Sequence, residues 1–352
     1  MEQKSVLIGM SGGVDSSVAA ALLKEQGYHV IGATMRLWTY SDSCNMKHEG
    51  CCAESAVEDA RRVCDKLGID FYVMNFKDMF KDKVVDEYIH GRTPNPCIAC
   101  NKYLKFDALL KKALAMGIDY VATGHYAKIE KGEDGKYILR ASEAVKKDQS
   151  YVLYNFTQEQ LAHTLMPLGG YNKDWVRQKA EELGLGVAHK PDSQEICFVE
   201  DDDYAKFITD YSGYKPKEGD ILDVNGNVIG KHRGLIYYTI GQRKGIGAYG
   251  RPMFVMKIDA ENNTITLGEK GMEFSNELTA YDVNFVSGEF PKENMLITAK
   301  VRYQAPPAAA MLCPQKDGTV KLMFPEPQRA VTPGQAVVIY DGDIVLGGGT
   351  VL

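Results

Sequence analysis

The sequence has no run of 18 apolar residues and so offers no helix able to span a bilayer. Its first residues, MEQKSVLIGMSGG, hold an apolar stretch of about six residues before glycines intervene, which fits neither a secretion signal nor a transit peptide. A cytoplasmic chain without membrane attachment is expected. Glycine and proline together make up 47 of 352 residues, too few for a collagen-like or low-complexity chain. No internal repeat and no glutaminase-like region is visible, and no G-x4-G-K-S/T string occurs. Charge of one sign is also scarce: the net is −6, which for the whole chain argues mildly against a nucleic-acid partner. Eight cysteines without a secretion signal are expected as reduced thiols, available as catalysts or metal ligands rather than disulfide staples.

What is present is ordinary globular composition over 352 residues, enough for two or three domains at about 150 residues each. The first part reads as an α/β unit. KSVLIGM (4–10), HVIGATM (29–35), FYVMNF (71–76) and DYVATGHYA (119–127) read as strands; SGGVDSS (11–17) turns into a helix through about Gly27, and further helical patterns lie near 53–67, 77–90 and 102–116. Strands alternating with helices predict a parallel sheet covered on both faces, with ligands at the C-terminal strand ends. Residues 206–275 mix short strands with Gly-rich turns. Residues 276–352 read as all-β, with strands near 281–286, 296–303, 319–324 and 335–340, and suggest a small barrel. The expected division is therefore 1–205, 206–275 and 276–352. The acidic surplus lies wholly in the first of these. Between Lys231 and Ile258 there are six basic residues and no acidic one: Lys231, Arg233, Arg243, Lys244, Arg251 and Lys257, with His232, Tyr237, Tyr238 and Tyr249 interleaved. Such a segment is a candidate nucleic-acid backbone surface or, more plainly, a solvated strand-and-loop stretch.

Ser11-Gly12-Gly13-Val14-Asp15-Ser16-Ser17 follows the first strand and opens a helix. Glycines turn backbone N–H groups toward an anion, the helix N-terminus adds partial positive charge, and serine hydroxyls add donors. The string resembles the PP-loop signature of the ATP pyrophosphatases, which cleave ATP to AMP and pyrophosphate and adenylate a carbonyl oxygen. The activated oxygen leaves as AMP, so the nucleophile decides the product.

Two segments point to sulfur: GRTPNPCIACNKYLKF (91–106) and HKPDSQEICFVEDDDY (189–204). With SGGVDSS, GHYA (124–127), KKDQSYVLY (146–154), TIGQRKG (239–245), VRYQ (301–304) and TPGQAVVIYDGD (332–343), they resemble the tRNA-specific 2-thiouridylase (MnmA/TrmU) family through nearly the whole chain. The resemblance implies a PP-loop domain, a central domain and a C-terminal β-barrel. It implies thiolation of the wobble uridine in tRNAs for Lys, Glu and Gln, with sulfur from a cysteine desulfurase or relay protein, by a monomer. It places ATP on Gly9, Met10, Ser11, Gly12, Gly13, Val14, Asp15 and Ser16, with Met35 and Gly124 near the adenine and ribose, and Mg2+ on the phosphates. Its two catalytic cysteines fall on Cys100 and Cys197: Cys197 carries the incoming persulfide and Cys100 releases that sulfur by forming a disulfide. Asn95, Pro96 and Cys97 match the stretch that meets the target base. His125, Lys147, Asp148, Gln149, Arg302, Tyr303 and Gln335 match positions that contact tRNA.

One position departs from the D-x-x-C pattern of much of the family: here it is Cys97-Ile98-Ala99-Cys100. Two readings follow. Cys97 is a bystander to persulfide exchange, or Cys97, Cys100 and Cys197 ligate a 4Fe-4S cluster with one open iron. Cys64 and Cys313 read as small buried hydrophobes. Cys44, Cys51 and Cys52 lie in a polar loop without the two-pair spacing usual for zinc. Two rivals to a thiolase stand beside this reading: an amidating PP-loop synthetase, which needs an ammonia source, and a nucleotide-sensing, metal-binding RNA module without turnover.

Overall fold

The computed structural model describes residues 3–37, 54–76, 95–191 and 204–352. Five parallel strands form the first sheet: β1 (Ser5–Gly9), β2 (His29–Arg36), β3 (Asp70–Asn75), β4 (Tyr120–Ala122) and β7 (Thr164–Leu165), in the order β3-β2-β1-β4-β7. Strand β1 is central, and its apolar residues divide by the two-residue period of a strand. Leu7 joins one core cluster, and Val6 and Ile8 join the cluster on the opposite face. That second face is covered by α1 (Val14–Glu25) and α2 (Glu54–Leu67), through Val18, Leu22, Ala60 and Val63. A doubly covered sheet explains why its strands read as unbroken apolar runs rather than alternating ones.

The fourth strand is shorter than the reading 119–127. It ends at Ala122, and Thr123–Tyr126 leave the sheet as a loop. The cause is Gly124, where a Cβ would lie 2.7 Å from the Ser16 amide nitrogen and 2.8 Å from the Asp15 carbonyl carbon. The chain leaves the ladder to press its backbone on the start of α1. It then forms a hairpin that the sequence reading missed, β5 (Ala127–Lys131) with β6 (Tyr137–Ala141). The helical pattern expected over 102–116 starts earlier, as α3 (Pro96–Ala99), passes through a π-helical segment (Cys100–Ala108) and ends as α4 (Leu109–Ala115). The helix expected near 77–90 and the cysteines Cys44, Cys51, Cys52 and Cys197 lie outside the described residues.

After α5 (Gln158–Ala162), α6 (Lys173–Glu182) and α7 (Tyr204–Ser212) comes a four-stranded sheet in the order β10-β11-β8-β9. It is built from β8 (Gly219–Leu222), β9 (Val228–His232), β10 (Met253–Asp259) and β11 (Thr264–Glu269). The last six strands are β12 (Phe274–Phe285), β13 (Met295–Lys300), β14 (Ala308–Pro314), β15 (Val320–Arg329), β16 (Ala336–Asp341) and β17 (Ile344–Val351). They run β12-β15-β14-β13-β16-β17 and close through a β12–β17 pairing. Alternate residues fill the barrel: Ile297 and Ala299, Ala310 and Leu312, Leu322 and Phe324, Val337 and Ile339. Strand β16 is buried on both faces. Val338 and Tyr340 point outward into the cluster that also holds Leu7, Cys100 and Tyr151, so the barrel shares a core with the first sheet. No described helix is long and apolar enough to cross a membrane.

Candidate active site

The PP-loop lies where β1 has neighbours on both sides, so the chain order reverses there and the crevice opens at the strand ends. Gly12 has φ +70°, and a Cβ there would fall on the Ala56 carbonyl, so only glycine fits. Ser16 Oγ accepts from the Ser11 N–H at 3.2 Å and donates to the Gly13 carbonyl at 3.2 Å, while Ser17 Oγ donates to the same carbonyl at 2.8 Å. The serines thus serve the loop's own shape. The N–H groups of Gly12, Gly13, Val14, Asp15 and Ser16 meet no acceptor among the described residues. Consecutive unpaired donors at a helix N-terminus, next to backbone with no room for a Cβ, fit the pyrophosphate part of a nucleotide. Met10 is anchored beside them by its N–H to the Ala33 carbonyl at 2.8 Å and by Thr34 Oγ1 donating to its own carbonyl at 2.9 Å. Gly9 ends β1, and Met35 packs against the cluster that contains Cys100.

Asp15 is not a free carboxylate. Lys173 Nζ donates to both its oxygens at 2.7 and 2.9 Å, and the Tyr126 hydroxyl donates to Oδ1 at 2.7 Å. Lys190 Nζ donates to the Gly12 carbonyl at 3.1 Å and to Asp59 Oδ2 at 2.8 Å. Sequence reasoning missed all three partners. A signal was available for Lys173, a cation at the first position of an Asn-capped helix, where the macrodipole disfavours it.

Cys97 and Cys100 sit at the start of a helix that Asn95 caps, its side chain accepting from the Cys97 N–H at 3.0 Å, with Pro96 at the first helical position. Cys100 is buried and opens the π-helical turn, and Cys97 is half-buried. Wide π turns recur at functional sites. Of the three thiols weighed for an iron–sulfur cluster, Cys197 lies outside the described residues. No group of three His, Cys, Asp or Glu arranged for a metal occurs among the described residues. Cys97 and Cys100, one of them buried, do not by themselves complete a cluster site among the described residues. Cys64 and Cys313 show no ligand geometry: Cys64 is fully buried under Gly32, and burial, then the Asp65 charge, push its thiol up to about 12.

The structure gathers separate sequence motifs beside Cys97. The Tyr303 hydroxyl donates to the Asp148 carbonyl at 3.3 Å, and its ring meets Tyr151 at 5.7 Å. Burial, then the Asp148 charge and the Cys97 thiol, raise the Tyr303 hydroxyl above its usual value. Tyr151 in turn donates to the Ala336 carbonyl at 2.7 Å, next to Gln335. The Asp148 side chain accepts from the Ser142 and Ser150 N–H groups at 3.0 and 3.1 Å, and Gln149 Oε1 accepts from the Tyr126 N–H at 2.9 Å. Lys147 ends a short 3-10 turn immediately before them.

Two residues expected to contact tRNA have partners within the protein. His125 is buried, 2.7 Å from Thr123 Oγ1 and beside Phe106; burial, then Lys105, hold it neutral, with its pKa well below the usual value. Arg302 spends its guanidinium on the protein. Nε and Nη2 donate to the Ala330 carbonyl at 3.1 and 2.6 Å, and Nη2 also reaches the Ile240 carbonyl at 3.2 Å and Thr332 Oγ1 at 3.0 Å.

The basic segment divides as well. Lys231, Arg251 and Lys257 pair with Asp220, Glu269 and Asp259, and Arg233 lies 4.1 Å from the Tyr237 ring centre. Arg243 and Lys244 are exposed and have no acidic partner among the described residues. Arg243, Tyr249 and Arg251 line a cleft of about 340 Å³.

Comparison with known proteins agrees with this architecture. Residues 4–201 match the tRNA methyl transferase HUP domain, 205–269 the tRNA methyl transferase PRC-barrel domain and 275–351 the aminomethyltransferase β-barrel domain. A tRNA-specific 2-thiouridylase MnmA of Acetivibrio thermocellus is 58% identical over 358 residues, with 100% of both chains covered. The protein of that name from Clostridioides difficile is 57% identical over 354 residues, covering 99% of this chain and 98% of its own. A PP-loop domain, a PRC-barrel domain and a closed six-stranded barrel, matched along the whole length by such relatives, leave one assignment: the chain belongs to the tRNA-specific 2-thiouridylase MnmA family.

Proposed function

We propose that this chain is an ATP-dependent tRNA uridine 2-sulfurtransferase acting on the wobble uridine of tRNAs for Lys, Glu and Gln. The observation that carries the reading is the row of five N–H groups from Gly12 to Ser16 that meet no acceptor among the described residues, on the same sheet end as Met35, which packs against the cluster of Cys100. The loop holds the pyrophosphate of ATP and stabilises its charge as it leaves. Magnesium supplies a hard cation for the phosphate oxygens, with Asp15 as the protein carboxylate beside them. AMP transfer to the uracil C2 oxygen makes that oxygen a good leaving group, and sulfur replaces it.

Cys100 and Cys197 carry the sulfur: a persulfide on Cys197 gives up its outer sulfur as Cys100 forms a disulfide with the inner one. A cysteine desulfurase or a relay protein loads Cys197. A thiolate suits this exchange because it is nucleophilic near neutral pH. Asn95–Cys97 receive the target base, with Tyr303 and the Lys147–Gln149 turn around it. We assign the nucleotide chemistry to residues 1–205. The tRNA footing falls to Arg243 and Lys244 of residues 206–275 and to Tyr303 and Gln335 of residues 276–352.

The test is nucleoside analysis of tRNA after reaction with the protein, ATP, magnesium and a sulfide source, with pyrophosphate release followed in parallel. The expected result is 2-thiouridine, pyrophosphate release that depends on tRNA, and loss of both in Asp15→Ala. Full activity after EDTA treatment without added metal, or pyrophosphate release that leaves every uridine unthiolated, would overturn the reading. Cys97→Ala separates the two cysteine readings: thiolation retained in this variant, together with no iron bound by the wild type after anaerobic preparation, leaves the persulfide route standing alone.

A further inference from the structure

Helices α1 and α6 run side by side in the same direction. Lys173 meets Asp15 at their starts, and Lys179 meets Glu25 at 2.9 Å further along. Val176 and Ala180 pack in the same cluster as Val14, Val18 and Leu22, so the alignment is held by core contacts rather than by the ion pairs. Both N-termini therefore open at the PP-loop, and the positive ends of two helix dipoles converge there.

The side chain of Lys173 is 12% exposed and that of Asp15 33% exposed. The Asp15 carboxylate thus meets a largely buried ammonium and a phenol hydroxyl, on the first turn of the helix that the loop opens.

Lys190 plays a different part. Its ammonium meets the carbonyl of Gly12. In a trans peptide the carbonyl and the following N–H point in opposite directions. Lys190 therefore stands behind the Gly12–Gly13 peptide and orients it, so that the Gly13 N–H faces the other way. Lys173 instead stands on the Asp15 carboxylate, in the first turn of the helix that the loop opens.

We propose that Lys173 is a phosphate ligand of this site as well as the partner of Asp15. The ammonium serves the polyphosphate while Tyr126 keeps Asp15 in place. Its role is to neutralise charge on the departing pyrophosphate, which the N–H groups, as neutral donors, do less strongly. The inference rests on the reading of this loop as an ATP site.

The experiment is calorimetric titration of the full chain with inorganic pyrophosphate and, separately, with adenosine. It compares the wild type, Lys173→Gln and Lys173→Arg. Glutamine keeps a hydrogen-bond donor for Asp15 without the charge, and thermal midpoints check that each variant is folded. Lys173→Gln is expected to weaken pyrophosphate binding by about tenfold or more, the size of one charge-assisted contact, and to leave adenosine binding unchanged. Lys173→Arg is expected to recover most of the loss. Equal pyrophosphate affinity in wild type and Lys173→Gln would overturn the proposal. So would a parallel loss of adenosine and pyrophosphate binding, which marks Lys173 as a clip for Asp15. If the wild type itself binds neither pyrophosphate nor ATP, the reading of the loop fails, and that result is distinct from the other two.

Discussion

Replacing Arg302 by methionine tests whether this residue is first a structural bond or first an RNA contact. Its Nε and Nη2 groups tie Ile240 of the middle domain to Ala330 and Thr332 of the barrel. The junction is tight. Gly241 has φ +83°, and a Cβ there would lie 2.8 Å from the Ala330 Cβ; Ala330 itself is left-handed at φ +51°. Methionine fills similar space but gives no donors. The Ala330 carbonyl keeps the Thr332 hydroxyl at 2.9 Å, so the net loss falls mainly on the Ile240 carbonyl and on the charged bonds to Ala330. Hydrogen bonds from a charged group contribute roughly 1.5–3 kcal/mol each, and part of this loss is recovered by water at a half-buried site, so a cost of about 3 kcal/mol is expected. That is about a hundredfold in a local opening equilibrium.

Hydrogen exchange reads this directly. The Gly241 N–H, bonded to the Val255 carbonyl, and the Gln335 N–H, bonded to the Thr332 carbonyl, should lose about a hundredfold in protection, while the β1–β2 ladder stays as it was. Unchanged protection at both amides, with tRNA affinity reduced and its salt slope lowered by about one phosphate, would refute the structural account and make Arg302 a backbone contact.

Three further outcomes follow from the same geometry. Gly124→Ala drives a methyl into the Ser16 amide and the Asp15 backbone, so ATP binding should fall by at least about tenfold by titration with little change in tRNA affinity; unchanged ATP affinity would show that the loop tolerates displacement. Arg243→Ala with Lys244→Ala should weaken tRNA binding and reduce its salt slope by up to about two, leaving ATP binding alone; equal affinity at several salt concentrations would return the loop to the solvated surface. His125, neutral in the fold, is protonated in the unfolded chain below its ordinary pKa of about 6.5, so the unfolded state binds the extra proton as pH falls. Its contribution to stability is complete above that value and declines as pH falls below it, by at most about 1.4 kcal/mol per unit; His125→Gln should flatten the pH dependence of the melting temperature between pH 6.5 and 5, and identical slopes would contradict the burial.

The sequence by itself determined the local chemistry. SGGVDSS specified a strand, a glycine turn and a helix start because those states follow from backbone freedom and hydrogen bonding within a few residues. The shift from helical to two-residue periodicity marked the passage from a covered sheet to a barrel for the same local reason. Boundaries were less legible: the strand expected to 127 stops at Ala122 because Gly124 must reach a helix more than a hundred positions earlier. The closure of the barrel and the packing of Tyr340 on the cluster of Cys100 rest on pairings between remote strands. Only the tertiary structure could assign partners to charges. Asp15 reads in sequence as one of the ATP-binding residues of its loop and is held by Lys173, 158 residues away; Arg302 reads as a contact for RNA and also bonds across two domains. Charge and donor count are properties of a residue, but whether they are spent inside the molecule or offered outward depends on which distant backbone the fold brings within hydrogen-bonding distance.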